Sequence, residues 1–352
     1  MTEAVQAPAG RPKSLTLVPH KAGLKAKDFK SDQEVRWCPG CGDYAILAAF
    51  QSFLPTLEVP RENVVVISGI GCSSRLPYYV NSYGMHSIHG RAPAIASGLA
   101  ASRPDLSVWV ITGDGDSLSI GGNHLIHALR RNVNINIMLF NNRIYGLTKG
   151  QYSPTSEQGK VTKSSPLGSL EEPFNPVSLA LGAGASFVAR SVDSDRKHLQ
   201  SVMAAAADHK GASFIEIFQN CPIFNDDAFA PVKEPKAPGL IRLAHGEQVR
   251  FGPDGSMGLV AGAFGELQAV EAASVPESDL VVHDATRTDP AYAFALSRLD
   301  SGDFSHTPIG VFRAADRPSY DEQMAAQIAM AQETGQGDLA RLIAGSDTWE
   351  VH

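Results

Sequence analysis

The chain has 352 residues, of which 43% are hydrophobic, and its formal net charge is −7. This size suits one large domain with additions, or two domains. The acidic balance argues against a nucleic-acid-binding protein, which would show a basic patch. No apolar run reaches the roughly 18 residues of a membrane span, so we expect no membrane partner. Residues 1–34 lack the apolar core of a signal peptide and predict a flexible arm on a cytoplasmic protein.

Short apolar runs alternate with helical patterns between residue 35 and about residue 225. Runs rich in Val and Ile predict buried strands, and these lie at residues 64–68, 107–112, 135–141 and 214–218. Apolar residues at helical spacing predict helices at residues 43–54, 92–102, 122–131 and 195–209. This alternation predicts an α/β fold, a doubly wound and mostly parallel sheet with helices on both faces.

Two further regions are less regular. Residues 153–176 are rich in Ser, Pro, Thr and Gly, and they predict a long loop of the kind that is often functional. Residues 226–352 contain strand-like runs at 257–261 and 280–283 and helical patterns at 291–299 and 320–333. We interpret this C-terminal third as an extension that packs on the main domain or on a partner subunit.

A Gly-Asp-Gly-Asp motif at residues 113–116 directly follows a predicted strand, and Asn142 ends the next one. Ligands of open parallel sheets bind at the carboxyl ends of strands, so both segments should meet there. Gly113 and Gly115 allow the backbone to approach a diphosphate closely. The oxygens of Asp114 and Asn142 are hard ligands suited to Mg²⁺, and a carbonyl just past Asn142 would complete the protein's share. The sequence therefore predicts a magnesium–diphosphate site.

The chain has four cysteines, and two of them, Cys38 and Cys41, form a Cys-x-x-Cys knuckle. Cys72 and Cys221 are isolated in the sequence. Four thiolates select zinc or an iron–sulfur cluster. The Cys-Pro-x-Cys-Gly pattern also occurs in zinc ribbons, so a zinc-stabilised α/β binding protein stays open as an alternative. A ligand set drawn from three distant segments favours a cluster, because zinc ribbons normally supply a second knuckle or a pair of histidines.

The sequence resembles the β subunits of the 2-oxoacid:ferredoxin oxidoreductases. The resemblance rests on six motifs in order: Trp-Cys-Pro-Gly-Cys-Gly-Asp-Tyr at 37–44, Gly-Ile-Gly-Cys-Ser-Ser at 69–74, His-Gly-Arg-Ala at 89–92, Gly-Asp-Gly-Asp at 113–116, Gly-Gly-Asn-His at 121–124 and Asn-Asn-Arg-Ile-Tyr-Gly-Leu at 141–147. It covers residues 35–225 well and the C-terminal third less specifically. One departure is Thr-Lys-Gly-Gln at 148–151, where the family has Thr-Gly-Gly-Gln.

The resemblance implies a set of site residues. The metal ligands that it implies are Asp114, Asn142 and the carbonyl of Ile144 for Mg²⁺, and Cys38, Cys41, Cys72 and Cys221 for one [4Fe–4S] cluster. The contacts that it implies for thiamine diphosphate are Ile70, Gly71, Cys72, Ser73, His89, Gly113, Gly115, Asp116, Gly146 and Leu147. Cys72 belongs to both sets, which would bring the cluster and the thiamine cofactor close together.

The resemblance also implies the activity and the partners. Such enzymes decarboxylate a 2-oxoacid oxidatively, transfer the acyl group to coenzyme A and send the electrons to ferredoxin. The pyrimidine-binding domain lies on an α subunit, so we expect this chain to work only in an assembly, most simply α₂β₂. Arg75 and His89 are the candidate catalytic residues. A cation at Arg75 suits the distal carboxylate of 2-oxoglutarate, with pyruvate or a branched-chain 2-oxoacid as the alternative substrate.

Overall fold

The computed structural model describes residues 23–234, 236–299, 302–335, 337–347, 349 and 351. The strands within these residues are, in chain order, β1 (Val64–Ser68), β2 (Tyr83–His86), β3 (Ser107–Gly113), β4 (Asn136–Asn141), β5 (Phe187–Val192), β6 (Ser213–Phe218), β7 (Leu240–Leu243), β8 (Arg250–Phe251), β9 (Met257–Ala261), β10 (Leu267–Glu271) and β11 (Thr307–Ala314). The α-helices of this described part are α1 (Asp43–Phe53), α2 (Leu76–Tyr79), α3 (Ala92–Ser102), α4 (Asp114–Leu118), α5 (Gly122–Arg131), α6 (Pro176–Gly182), α7 (Arg196–Asp208), α8 (Ala230–Lys233), α9 (Ala291–Ser297), α10 (Tyr320–Glu333) and α11 (Leu339–Ala344).

Eight strands form one sheet in the order β2-β1-β3-β4-β6-β5-β11-β7. The first six of these strands run parallel to their neighbours, while β11 is antiparallel to β5 and parallel to β7. A second sheet of three antiparallel strands has the order β10-β9-β8. The parallel strands place their carboxyl ends at one edge, where ligand sites of such sheets lie. The structure therefore confirms the predicted mostly parallel α/β sheet.

Two hydrophobic clusters cover the two faces of the large sheet. Side chains of a strand alternate between faces, and in β3 Val108 and Val110 join one cluster while Trp109 and Ile111 join the other. The first cluster packs against α3, α5, α6 and α9, and the second packs against α1 and α7. Helices on both faces explain why the central strands are apolar throughout, and each fully buried large side chain contributes roughly 1.5–3 kcal/mol.

The four strands predicted from apolar runs in the first two-thirds of the chain are present, and so are the four helices. Four strands of the large sheet were not predicted: β2, β5, β7 and β11. The strand predicted at residues 280–283 is wrong, because Leu280 and Val282 form only isolated bridges, to Val260 of β9 and to Gln248. Residues 153–175 form the expected loop, and Pro176 already begins α6.

The two ends of the described chain differ from the predicted organisation. Residues 1–22 of the predicted arm lie outside the described residues. Residues 23–34 are not a free arm, because a short 3-10 helix (Ala26–Phe29) buries Phe29 completely in the core. The C-terminal third does more than pack on the main domain, since it contributes β7 and β11 to the large sheet. None of the helices in the described part of the chain has the length and apolarity that a membrane crossing requires.

Candidate functional site

A cleft with an empty volume of about 530 Å³ opens at the carboxyl ends of β1, β3 and β4. The segments that follow these three strands line it, together with His89. The predicted contact residues on its wall are Ile70, Gly71, Cys72, Ser73, His89, Gly113, Gly115, Asp116, Gly146 and Leu147. Asp114, Asn142 and Ile144 line the same cleft. The fold thus brings thirteen residues from four separate motifs to one place.

Asp114 is the buried acid of the cleft, with 2% of its surface exposed. Its Oδ2 accepts hydrogen bonds from Ser153 Oγ at 2.5 Å and from Thr155 Oγ1 at 2.6 Å. Burial raises the pKa of the Asp114 carboxyl, while the hydroxyls of Ser153 and Thr155 act to lower it. A carboxylate that is buried and held by two hydroxyls is costly to ionise alone and suits a divalent cation.

Asn142 supplies the second oxygen at this end of the cleft. Its side-chain Nδ2 donates to Gln219 Oε1 at 2.9 Å, while its Oδ1 accepts from the backbone N–H of Ile144 at 3.2 Å. Asp114 and Asn142 therefore present a carboxylate and an amide oxygen to the same cleft. These hard donors fit Mg²⁺, which prefers oxygen ligands and keeps several waters.

Asp116 joins three segments that form one wall of the cleft: the loop after β1, the loop after β2 and the end of β3. Its Oδ1 accepts from the backbone N–H of Ile70 at 3.2 Å and of Gly90 at 2.9 Å, and its Oδ2 accepts from Thr112 Oγ1 at 2.8 Å. His89 Nδ1 lies 2.7 Å from Oδ1. Because a carboxylate only accepts, Nδ1 carries the proton and Nε2 is left for another partner.

Close approach explains two glycines of the motifs. A β-carbon at residue 69 would collide with the Asp116 carboxylate, and one at residue 115 would collide with the ring of Tyr145. The Tyr145 hydroxyl also donates to the carbonyl of Gly115 at 2.8 Å. Only glycine fits where a neighbouring side chain packs directly on the backbone. Gly115 therefore serves the packing of Tyr145 as well as access to the cleft.

The cysteine-bearing segments meet beside the cleft. Gly42 N–H donates to the carbonyl of Asn220 at 3.0 Å, which ties the Cys38–Cys41 knuckle to the residue before Cys221. Trp37 Nε1 donates to the carbonyl of Cys72 at 2.7 Å. The Sγ atoms of Cys72 and Cys221 lie 3.5 and 3.7 Å from the position that a β-carbon on Gly146 would take.

Electrostatics at the cysteines favour a positively charged partner. Burial, together with Asp43 and the neighbouring thiols Cys221 and Cys38, raises the pKa of Cys72 to about 12. Burial likewise raises the pKa of Cys41, with contributions from Asp43 and Cys221. Such thiols stay protonated unless a metal displaces the proton, because metals bind the thiolate. Within the described ranges, no group of three or more His, Cys, Asp or Glu converges as a single metal ion would require.

Arg75 does not line the cleft. It ends a 3-10 turn (Ser73–Arg75) that follows Cys72, and its Nη1 donates to the carbonyl of Arg36 at 2.9 Å. Sequence reasoning also missed residues that support the site, namely Ser153, Thr155, Tyr145 and Gln219. Of these, only Tyr145 lies within a quoted motif, and the Ser- and Thr-rich composition of residues 153–176 was a general signal for the first two.

Comparisons with known proteins agree with this geometry. Residues 61–217 match the family model of the thiamine pyrophosphate enzyme C-terminal TPP-binding domain. The chain is 60% identical over 331 residues to the 2-oxoglutarate oxidoreductase subunit KorB of Mycobacterium tuberculosis, with 93% of this chain and 88% of that protein covered. It is 45% identical over 190 residues to subunit beta of 2-oxoacid:ferredoxin oxidoreductase 1 of Aeropyrum pernix, with 54% of this chain and 60% of that protein covered.

A solved structure shares the fold over nearly the whole chain. It is the 2-oxoglutarate:ferredoxin oxidoreductase from Magnetococcus marinus with 2-oxoglutarate, coenzyme A and succinyl-CoA bound, and it matches with a TM-score of 0.73 and 34% identity. The match covers 93% of this chain and 97% of that chain. By sequence and by structure, the chain belongs to the β subunits of the 2-oxoacid:ferredoxin oxidoreductases and is an oxidoreductase subunit that carries a thiamine-pyrophosphate-binding domain.

Proposed function

We propose that the chain is the cofactor-binding β subunit of a 2-oxoglutarate:ferredoxin oxidoreductase. The assembled enzyme converts 2-oxoglutarate and coenzyme A to succinyl-CoA and CO₂ and passes the electrons to ferredoxin. The observation that carries the proposal is that the Gly-Asp-Gly-Asp motif around Asp114 and the segment around Asn142 line one cleft, next to Cys72. Similarity to proteins named for 2-oxoglutarate supports the substrate.

Mg²⁺ would be held by Asp114, the Asn142 side-chain oxygen and the carbonyl of Ile144, with the diphosphate beside Gly113 and Gly115. When bound, thiamine diphosphate supplies the carbanion and the electron sink for decarboxylation. The chain's own residues position and shield it. Asp116 fixes the loop at Ile70 and, by binding Nδ1 of His89, orients the imidazole of this half-exposed residue. The Nε2 of His89 would then be a polar group beside the thiazolium end of the cofactor.

A [4Fe–4S] cluster would be held by Cys38, Cys41, Cys72 and Cys221. A cluster takes one thiolate at each iron, so the sulfurs surround it without meeting at one point. The contact of Cys72 with both the cleft and the cysteine-bearing segments supports direct electron passage between the two cofactors. Ferredoxin would then receive the electrons at the surface near Cys38, which is exposed.

The pyrimidine-binding domain would come from an α subunit, so we expect an α₂β₂ assembly. Thiamine enzymes need a carboxylate beside the aminopyrimidine ring, and in this family that domain is on the other subunit. The test is to add the α subunit to the purified chain and to follow substrate-dependent reduction of ferredoxin or a dye. Activity of the chain alone would contradict the proposal, and activity only with α supports it.

Arg75 is the proposed determinant for a dicarboxylic substrate. It lies outside the cleft wall but only three residues after Cys72, which lines the cleft. It is partly exposed, and its guanidinium is suited to bidentate pairing with a carboxylate. Arg75→Leu should raise the KM for 2-oxoglutarate far more than that for pyruvate. Arg103→Leu is the matched control, because Arg103 pairs with Asp105 just before β3, at the opposite end of the strand from the cleft. Equal effects on both substrates would remove this assignment.

A further inference from the structure

Gln219 lies between the two proposed cofactor sites. It directly follows β6, its surface is only 1% exposed, and its backbone N–H donates to the carbonyl of Asn141 at 2.9 Å. This backbone bond extends the pairing of β6 with β4 by one residue and so fixes the position of the Gln219 backbone, from which the side chain projects. A buried amide in such a position must have its polar atoms satisfied by neighbours.

The two ends of the Gln219 amide contact different sites. Its Oε1 accepts from Asn142 Nδ2 at 2.9 Å, on the side of the proposed Mg²⁺ site. Its Nε2 donates to Cys41 Sγ at 3.3 Å and to the carbonyl of Asn220, on the side of the cysteines. One side chain therefore bridges a proposed magnesium ligand and a proposed cluster ligand.

The orientation of this amide follows from its partners. The carbonyl of Asn220 can only accept, so it requires the NH₂ group of Gln219. With that group directed to Asn220 and Cys41, the oxygen of Gln219 faces Asn142 and accepts from its NH₂ group. The Asn142 amide is thereby fixed with its own oxygen directed away from Gln219. A flipped Gln219 would place two NH₂ groups against each other and an oxygen against a sulfur and a carbonyl.

We propose that Gln219 is a positioning residue that acts on both cofactors: it directs the oxygen of Asn142 to Mg²⁺ and donates a hydrogen bond to the cluster ligand Cys41. The inference rests on the proposed function, because it presumes both cofactors. Partners that orient metal ligands typically change metal affinity 10–100-fold when removed. Hydrogen bonds to the sulfurs of a cluster stabilise its reduced, more negative state and so raise its reduction potential.

Two variants separate the two effects in the complex of the chain with its α subunit. Gln219→Met keeps the volume but removes both the donor and the acceptor. Gln219→Glu keeps an acceptor for Asn142 and, when ionised, has no donor for Cys41. Gln200→Glu is the matched control, because Gln200 donates to the carbonyl of Ala49 on the α1–α7 face of the sheet, away from both sites.

The readouts are the midpoint potential of the cluster, from a redox titration followed by electron paramagnetic resonance, and the Mg²⁺ concentration that half-saturates thiamine diphosphate binding. Gln219→Met should lower the potential and raise the half-saturating Mg²⁺ concentration about 10–100-fold. Gln219→Glu should lower the potential and leave the Mg²⁺ requirement within about twofold, and Gln200→Glu should change neither. If Gln219→Met does not assemble, Gln219→Leu, which also lacks both the donor and the acceptor, takes its place.

Three results would count against the inference. A potential in the Gln219 variants equal to that of the wild type would overturn the link to Cys41. A Mg²⁺ requirement in Gln219→Glu as high as in Gln219→Met, or unchanged in both, would overturn the link to Asn142. A wild-type complex that holds no cluster at all would instead refute the proposed function, and with it the premise of this inference.

Discussion

The two hydroxyls on Asp114 give the sharpest quantitative prediction for the cleft. Ser153→Ala and Thr155→Val each remove one hydrogen bond to Asp114 Oδ2, at 2.5 and 2.6 Å, and the double variant removes both. A hydrogen bond to a charged group contributes about 1.5–3 kcal/mol. Part of this energy is lost equally in the Mg²⁺-free and the Mg²⁺-bound protein, and that part does not change Mg²⁺ affinity. We therefore expect the double variant to bind Mg²⁺ about 10–100-fold more weakly, which is the range for partners that orient metal ligands.

The loss should depend on pH. Burial already raises the pKa of Asp114 and the two hydroxyls oppose that rise, so removing them raises the pKa further. Mg²⁺ binds the ionised carboxylate, and a higher pKa lets protons compete better as the pH falls. The weakening of Mg²⁺ binding should therefore be larger at pH 6 than at pH 8, where the carboxylate of both proteins is more fully ionised.

The assay is a Mg²⁺ titration of the α–β complex with saturating thiamine diphosphate, followed by the circular dichroism of the bound cofactor. Ser164→Ala is the control, because Ser164 lies on the same loop, is exposed, and has its hydroxyl bonded to Thr162 rather than to Asp114. If the double variant needs the same Mg²⁺ concentration as the wild type at both pH values, the reasoning about Asp114 is wrong.

Three further predictions concern stability. Arg190 and Glu216 form a buried ion pair 2.7 Å apart, and replacing either one with Leu should lower the free energy of unfolding by about 3–5 kcal/mol. The combined Arg190→Met and Glu216→Leu variant should recover most of this loss. Urea titrations measure both effects. Lys149 has a φ of 75°, which L-residues adopt at a cost, so Lys149→Gly should stabilise the chain by up to about 1 kcal/mol. Lys163→Gly is the control, because Lys163 has no positive φ and its replacement by glycine should destabilise the chain. Burial, aided by Arg242, lowers the pKa of His198 to about 4, so its contribution to stability is fully present above pH 6.5 and is lost as the pH falls from 6.5 towards 4. Over that range it amounts to at most about 3 kcal/mol, and His198→Gln should remove it from the pH dependence of thermal unfolding.

Most residues of the cleft could be predicted because they follow strands that the sequence marks clearly; His89, which follows the unpredicted β2, is the exception. β1, β3 and β4 are continuous apolar runs, and the Gly-rich or polar motif that follows each run marks the end of the strand. Since parallel strands end at one edge, the meeting of Asp114 and Asn142 followed from topology alone. The supporting residues could not be predicted in this way. Ser153 and Thr155 reach Asp114 across 39 and 41 residues, and no local pattern marks them.

The strands of the large sheet that were not predicted have physical reasons. β7 has only four residues, and one of them is Arg242. β2 is short, contains Gly84 and is exposed along its whole length, so it lacks an apolar run. β5 contains Arg190, which reads as an exposed residue until its partner Glu216 is placed opposite it on β6. β11 begins with Thr-Pro and contains Gly310 and an arginine, which are poor strand signals. Each of these strands is stabilised by contacts distant in sequence rather than by its own composition.

The central claim is that one chain holds both the thiamine cofactor and an iron–sulfur cluster, side by side. Metal, sulfide and cofactor analysis of the anaerobically purified complex tests it most directly, with Cys72→Ser as the comparison. We predict about four iron and four sulfide atoms, one Mg²⁺ and one thiamine diphosphate for each copy of this chain beyond any cluster on other subunits, and loss of that iron in Cys72→Ser. Zinc in place of iron, or an iron content that Cys72→Ser leaves unchanged, would contradict the account.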